Sequence, residues 1–156
     1  KDATQLDEEI HVNSMIGDIL RELRVEEGFS RMNINVNVAP GQKLIANEFL
    51  VRTILQNLIE NSIKYQDYSR EPQLLIDLEQ RGATTSITIE DNGVGIDPSL
   101  HDRIFDMYFK TEDNRDGTGL GLYLVKKAVE KLNGKMSLKS NPGLGTRFTL
   151  SFAQGN

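Results

Sequence analysis

From Asn33 to Val38 polar and apolar residues alternate without a break, as Asn-Ile-Asn-Val-Asn-Val. In an extended chain this puts Ile34, Val36 and Val38 on one face and three asparagines on the other. A strand with one apolar face needs cover on that face alone. The same demand recurs along the chain. Leu74–Glu79 and Thr84–Asp91 read as two strands joined by a turn at Arg81-Gly82. Met136–Ser140 and Gly145–Phe152 read as a hairpin, with Phe148, Leu150 and Phe152 on one side of its second strand.

The segments between these strands carry helical spacing. One helix begins at Asn13 with Ile16, Ile19, Leu20 and Leu23 on its stripe, Asn13 or Ser14 as its cap, and Glu27-Gly28 as its end. A longer one runs from about Asn47 to Tyr65, with an apolar side of Leu50, Ile54, Leu58 and Ile59 flanked by Phe49 and Ile63. Pro98 opens a short helix to about Phe105, and Leu120–Leu132 forms another, stopped by Asn133-Gly134. Helices with single apolar stripes over half-apolar strands predict a two-layer α+β sandwich. Residues 1 to 11 are polar and acidic and read as a frayed lead-in.

The 156 residues suit one domain, and 12–156 is taken as that domain. The absence of cysteine excludes a disulfide framework and thiolate metal sites. Two histidines without cysteine argue against zinc. A net charge of -5 with interspersed signs gives no basic face for nucleic acid. No apolar run approaches the ~18 residues of a membrane helix. The chain starts at Lys1, carries no signal peptide, and reads as a piece of something longer.

Four motifs follow one another: Asn57-Leu-Ile-Glu-Asn61-Ser-Ile-Lys64-Tyr65, Asp91-Asn-Gly-Val-Gly-Ile96, Gly117-Thr-Gly-Leu-Gly-Leu122, and Gly143-Leu-Gly-Thr146. Asn57 and Asn61 stand four apart and Lys64 three further on, so one helix face carries two carboxamides and an ammonium. A carboxamide oxygen suits Mg²⁺, which takes few protein ligands beside phosphates and water. The same spacing also suits a solvated polar face. Asp91 ends an alternating strand and runs into glycines, which serves a turn or the close approach of backbone to a flat ligand. A carboxylate there could accept from the exocyclic amine of adenine, whereas guanine would oppose it with an oxygen. Gly117–Gly121 leads into a helix N-terminus, a phosphate-binding arrangement or a flexible hinge. It is neither a P-loop nor a dinucleotide fingerprint. His101-Asp102 lacks a Thr or Asn four residues on, Phe105 standing there, and His11 lacks a following acid, so both read as surface histidines.

In this order the motifs resemble the ATP-binding domain of sensor histidine kinases, within the superfamily shared with gyrase and mismatch-repair ATPases. The likeness covers about residues 12 to 153. Asn57–Tyr65 is similar to its N box, Asp91–Ile96 to its G1 box, Ile104–Lys110 to its F box, Gly117–Leu122 to its G2 box, and Gly143–Thr146 to its last glycine motif. The resemblance implies a Bergerat-type fold, a mixed, mostly antiparallel sheet covered on one face. It implies ATP and Mg²⁺ as cofactors. Asp91 would read the adenine amine, and Gly93, Gly95 and Ile96 would shape its pocket. Asn61 would ligate the metal with Asn57 beside it, and Lys64 and Tyr65 would border phosphates and sugar or base. Gly117, Thr118, Gly119, Leu120 and Gly121 would wrap the phosphates at the hinge of a mobile lid over 107–118. Thr146 would support Asp91. Lys110 stands where the family often carries arginine and would meet the γ-phosphate as a point charge, with Arg115 as a substitute. Asn57 and Lys110 are the catalytic candidates.

The activity implied is transfer of the ATP γ-phosphoryl group to a histidine on a separate dimerisation domain, with a response regulator receiver domain served indirectly. No acceptor histidine is carried here. A monomeric, cytoplasmic piece of a parent that can be membrane-anchored is the matching expectation. An ATPase or anti-sigma-type serine kinase of the same superfamily remains open, as does a non-catalytic nucleotide-sensing module. Asn57 stands where related hydrolases place a water-activating glutamate, which favours the kinase.

Overall fold

The computed structural model describes residues 6–111, 115 and 119–153. Among them the elements run β1 (Glu8–His11), α1 (Val12–Leu23), β2 (Asn33–Asn37), β3 (Lys43–Ala46), α2 (Glu48–Lys64), β4 (Gln73–Arg81), β5 (Thr84–Asp91), α3 (Gly121–Lys131), β6 (Lys135–Asn141) and β7 (Gly145–Ala153). Five strands make one sheet in the order β2-β4-β5-β7-β6, with β2 parallel to β4 and every other pair antiparallel. The expected mixed, mostly antiparallel sheet is present.

Period-two alternation sorts the sheet into a dry face and a wet one. Ile76, Ile89, Phe148 and Leu138 stand in one cross-strand row, with Ile87 and Leu150 in the next. Ile76, Ile87, Ile89, Phe148 and Leu150 are buried, in one core with Ile54, Leu58 and Ile59 of α2, Val125 and Val129 of α3, and Ile16 and Ile19 of α1. Each such side chain contributes about 1.5–3 kcal/mol by leaving water. The opposite face is polar: the Ser86 and Ser151 hydroxyls meet at 3.2 Å, those of Thr88 and Thr149 at 3.3 Å, and Arg147 forks onto Glu90. The sandwich therefore has two layers, helices on one face and solvent on the other.

Alternation also decides where the sheet's last polar residues point. Asp91 follows Ile87 and Ile89 at two-residue steps, so its side chain emerges on the helix-covered side, at the strand's end. Asp91 pairs with Leu74 and Thr146, and Thr146 with Ser140, so these residues rim one end of the core.

Several expectations are corrected. Residues 8–11 are not a frayed lead-in: β1 pairs antiparallel with β3, and Ile10 is 4% exposed. β3 itself, too short to alternate visibly, had no place in the reading of the sequence. Asn13 does not cap α1. His11 occupies that position, and the Asn13 amide donates to the Val38 and Ala39 carbonyls, both at 3.0 Å. Phe49 does not flank the apolar side of α2, being 73% exposed. The helix expected from Pro98 to Phe105 is a 3-10 turn, Pro98–Leu100, with Asp97 accepting from Ser99 N, and then successive turns. Asn47 does cap α2, accepting from Leu50 N at 3.0 Å. α3 stops as expected, Asn133 taking the left-handed conformation (φ 56°). No helix among the described residues is long and apolar enough to cross a membrane.

Candidate functional site

A cleft of about 1100 Å³ opens between the C-terminal half of α2, the end of β5 and the start of α3. Asn57, Asn61, Lys64 and Tyr65 line it from α2, Asp91, Gly95 and Ile96 from the strand end and its loop, Gly119 and Gly121 from the entry to α3, and Lys110 and Thr146 from its margins. Three of the four sequence motifs thus meet in one cavity, and Thr146 brings in the last. Gly93 and Leu120 are not among the lining residues: Gly93 reaches the cleft through its N–H on Asp91, and Leu120 is the residue before α3. Gly117 and Thr118 lie outside the described residues, as does part of the expected lid.

The floor is Asp91. Its Oδ1 accepts from Gly93 N at 2.9 Å and its Oδ2 from the Ser62 hydroxyl at 2.7 Å. Burial pushes its carboxyl above the ordinary carboxylate value, the Glu90 charge adds to this, and the bonds from Gly93, Ser62 and the Thr146 backbone oppose it. Thr146 therefore reaches Asp91 through its backbone N–H. Its hydroxyl instead meets Ser140 Oγ at 2.9 Å. Ser140, buried, also accepts from Ile96 N at 2.7 Å and donates to Gly145 O at 2.8 Å, fixing the loop's far end.

The loop after Asp91 is wedged between two elements. Val94 N donates to Tyr65 O at 3.0 Å, and Val94 O accepts from Gly143 N at 2.8 Å. Gly95 takes φ 78°, and any Cβ there would run into the Asn141 carbonyl, so only glycine fits.

The wall is α2. The Asn57 amide donates to Thr53 O at 2.7 Å, leaving its carbonyl oxygen to face Gly121. The Asn61 side chain lines the cleft with no hydrogen bond to another described residue. Lys64 pairs with Glu60 at 3.2 Å. A single carboxamide without a partner fits an ion that draws most of its ligands from water and phosphate. Among the described residues no group of three or more His, Cys, Asp or Glu could cage a metal alone.

The opposite rim carries Lys110, exposed at the cleft margin, and Arg103, whose guanidinium stacks on Phe109 at 5.0 Å. Arg115, weighed as a stand-in for Lys110, is placed elsewhere. It donates to Lys64 O at 3.2 Å and Gln66 O at 2.6 Å, and stacks at 4.9 Å on Tyr68. His11, exposed as expected, lies 3.8 Å from Glu9, whereas His101 is half-buried and hydrogen-bonds Ile96 O at 3.1 Å.

Ser62 and Ser140 were missed in the sequence. Ser62 had a signal: it falls three and four residues after Ile59 and Leu58, a lone hydroxyl on an apolar stripe. A buried hydroxyl must find a partner, and the strand-end carboxylate is the one in reach.

Residues 46–156 match the family described as histidine kinase-, DNA gyrase B- and HSP90-like ATPases. The sensor-like histidine kinase SenX3 of Mycolicibacterium smegmatis is 30% identical over 149 residues, which are 93% of this chain and 38% of that protein. Among solved structures, the mycobacterial sensor histidine kinase MprB superposes with a TM-score of 0.81 at 22% identity, over 96% of this chain and 98% of that one. Full-length ShkA, solved in complex with AMPPNP, gives 0.81 at 22% identity over 99% of this chain and 33% of that one. At such identities the superpositions carry the fold. The chain spans well under half of its relative SenX3. From the family match and a cleft built from its motifs, the chain belongs to the histidine kinase-, DNA gyrase B- and HSP90-like ATPase family, as an ATP-binding catalytic domain of the histidine kinase kind.

Proposed function

We propose that this domain binds Mg·ATP in the cleft and transfers its γ-phosphoryl group to a histidine on a separate dimerisation domain of a longer parent chain. The observation that carries the reading is the Asp91 carboxylate, held by Gly93 N and the Ser62 hydroxyl, with the Thr146 N–H beside them, at the floor of a cleft whose wall bears Asn57, Asn61 and Lys64. The carboxylate accepts from the exocyclic amine of adenine. Gly95 and Ile96 flank the base, with Gly93 holding the carboxylate from behind. Tyr65 and Lys64 border the sugar and phosphates. Asn61 would hold Mg²⁺, with Asn57 beside it, and the ion would neutralise phosphate charge. The entry to α3, Gly119 to Gly121 with Gly117 and Thr118 before it, supplies backbone N–H groups and a helix N-terminus to the phosphates.

An imidazole nitrogen of the acceptor attacks the γ-phosphorus with its lone pair. The bond from that phosphorus to the β–γ bridging oxygen breaks, its electrons stay with ADP, and the other ring nitrogen releases its proton to water. Because the imidazole is the nucleophile, the domain needs no strong base, only alignment and charge, which Asn57 and Lys110 supply. Glu60 is tied to Lys64 and does not stand as an independent base toward water. This supports transfer over hydrolysis. A response regulator receiver domain then takes the phosphoryl group from the histidine.

The test joins this chain, in solution, to the histidine-bearing segment of its parent and supplies γ-labelled ATP. Acid-labile, base-stable label on that segment is the expected result. Brisk ATP hydrolysis without a labelled segment would point to the ATPase reading, and nucleotide binding with neither to a sensing module.

A further inference from the structure

Asp91 is not held by backbone alone. Ser62 sits one residue past Asn61 on α2, is 4% exposed, and its hydroxyl reaches Asp91 Oδ2 at 2.7 Å. The same hydroxyl lies 3.4 Å from Leu58 O, the usual alternative for a helical serine. One O–H donates one strong bond, and the shorter bond to an ionised acceptor wins. Gly93 N takes the other oxygen, Oδ1, at 2.9 Å. With the Ser62 hydroxyl on one oxygen, Gly93 N on the other and the Thr146 N–H directed at the same carboxyl, the carboxylate plane is fixed, and a carboxylate's roughly four acceptor sites leave capacity for a ligand.

We propose that Ser62 is a positioning residue that sets base specificity, keeping Asp91 an oriented, acceptor-only carboxylate that takes a 6-amino purine and refuses a 6-oxo purine. This rests on Asp91 being the base reader. A carboxylate answers an amine with an acceptor and a carbonyl with a second acceptor, which repels it. A carboxyl that has lost its hydroxyl donor in a buried place is freer to turn or to take up a proton, and a protonated carboxyl can donate to a 6-oxo group. Ser62 also stands next to the metal-side asparagine, so one turn of α2 addresses the base and the phosphates together.

The test is the affinity of the chain for ATP and for inosine triphosphate, both with Mg²⁺, in the parent sequence and in S62A and S62T. Inosine triphosphate differs at the base, with an oxo group for the amine, and keeps the sugar and phosphates. The parent sequence should prefer ATP. In S62A the ratio of the two affinities should fall by about tenfold, the scale of one charge-assisted bond, through loss of ATP binding rather than a general weakening. S62T keeps the hydroxyl and should keep the ratio. A merely structural serine would weaken both nucleotides alike and leave the ratio in place, and that result overturns the proposal. A parent sequence that binds both nucleotides equally overturns the reading of Asp91 itself, and Ser62 with it. Discrimination that survives S62A removes Ser62 alone.

Discussion

Asn57 on α2 and Gly121 at the first turn of α3 touch so closely that a Cβ built on Gly121 would stand 3.0 Å from Asn57 Oδ1. The contact joins the two helices that would flank the phosphates in the function proposed above. Asn57 cannot easily retreat, because its amide is committed to Thr53 O. Gly121→Ala should therefore act in opposite directions on stability and function. Alanine in a helix is favoured over glycine by about 0.5–1 kcal/mol, so the melting temperature should hold or rise. Nucleotide affinity should fall several-fold as the Asn57 carboxamide is displaced. A thermal melt and an ATP titration on one preparation check both, and a variant of unchanged affinity would free Asn57 from the role given to it.

Asp91 yields a prediction with a sign. Its carboxyl is raised above the ordinary value, chiefly by burial, so the folded chain holds that proton more readily than the unfolded one. Stability from this group is thus present below the unfolded value and is lost as pH rises through the folded one. Ligand binding runs the other way, since the amine needs the ionised form. ATP affinity should fall as pH drops through the raised value, at a pH where exposed carboxylates are still charged. Asp91→Asn should lower affinity by at least tenfold at neutral pH, since its amide can present a donor to a donor, and should abolish that pH dependence. Titrations between pH 4.5 and 8 on both forms measure it.

The sequence was most informative where periodicity and chemistry coincide. α2 and β5 followed from their apolar spacing, while the resemblance of the ordered motifs to a known family is what implied that Asn61 and Asp91 would share a cavity. It was weakest where a segment is short or its partners are distant. β1 and β3 have four residues each, too few for alternation to stand out, and what makes them strands is each other. Phe49 is apolar but falls on the outer side of the first turn of α2, a matter of a hundred degrees of rotation. Arg115 looked like a phosphate ligand by charge alone. Its seat over Tyr68 depends on carbonyls some fifty positions away in sequence.

The β1 correction is testable as stability. Ile10 is buried beside Leu44, its register partner on β3. Ile10→Ala should destabilise the domain by about 2–4 kcal/mol, as truncation of a buried aliphatic does. Chemical denaturation of the two forms measures the loss. A frayed segment would register no change, and the strand would then not belong to the core.

Asn61→Ala separates metal from base. Alanine is the better helix residue by roughly half a kcal/mol, so the fold should not suffer. ATP affinity measured with Mg²⁺ should fall, while affinity in excess chelator should match the parent sequence, because the adenine contact at Asp91 is untouched. Loss of both components together would mean that Asn61 shapes the cleft instead of holding the ion.

Lys110 separates the γ-phosphate from the rest. It stands exposed at the cleft margin, where its ammonium is free to swing over a bound triphosphate. Lys110→Ala removes one charge that ADP has no need of. ATP affinity should drop by about threefold to tenfold, on the scale of a partly solvated charge–phosphate contact, with ADP affinity unchanged. Phosphotransfer to the restored histidine segment should fall further than ATP affinity does, since charge on the γ-phosphoryl oxygens shifts most during transfer. Lys110→Arg should restore both, its fork meeting the same oxygens. Should Lys110→Ala weaken ADP as much as ATP, the lysine contacts the inner phosphates, and the γ-phosphate must be met by another cation, for which Arg103 at the same rim is the nearest choice.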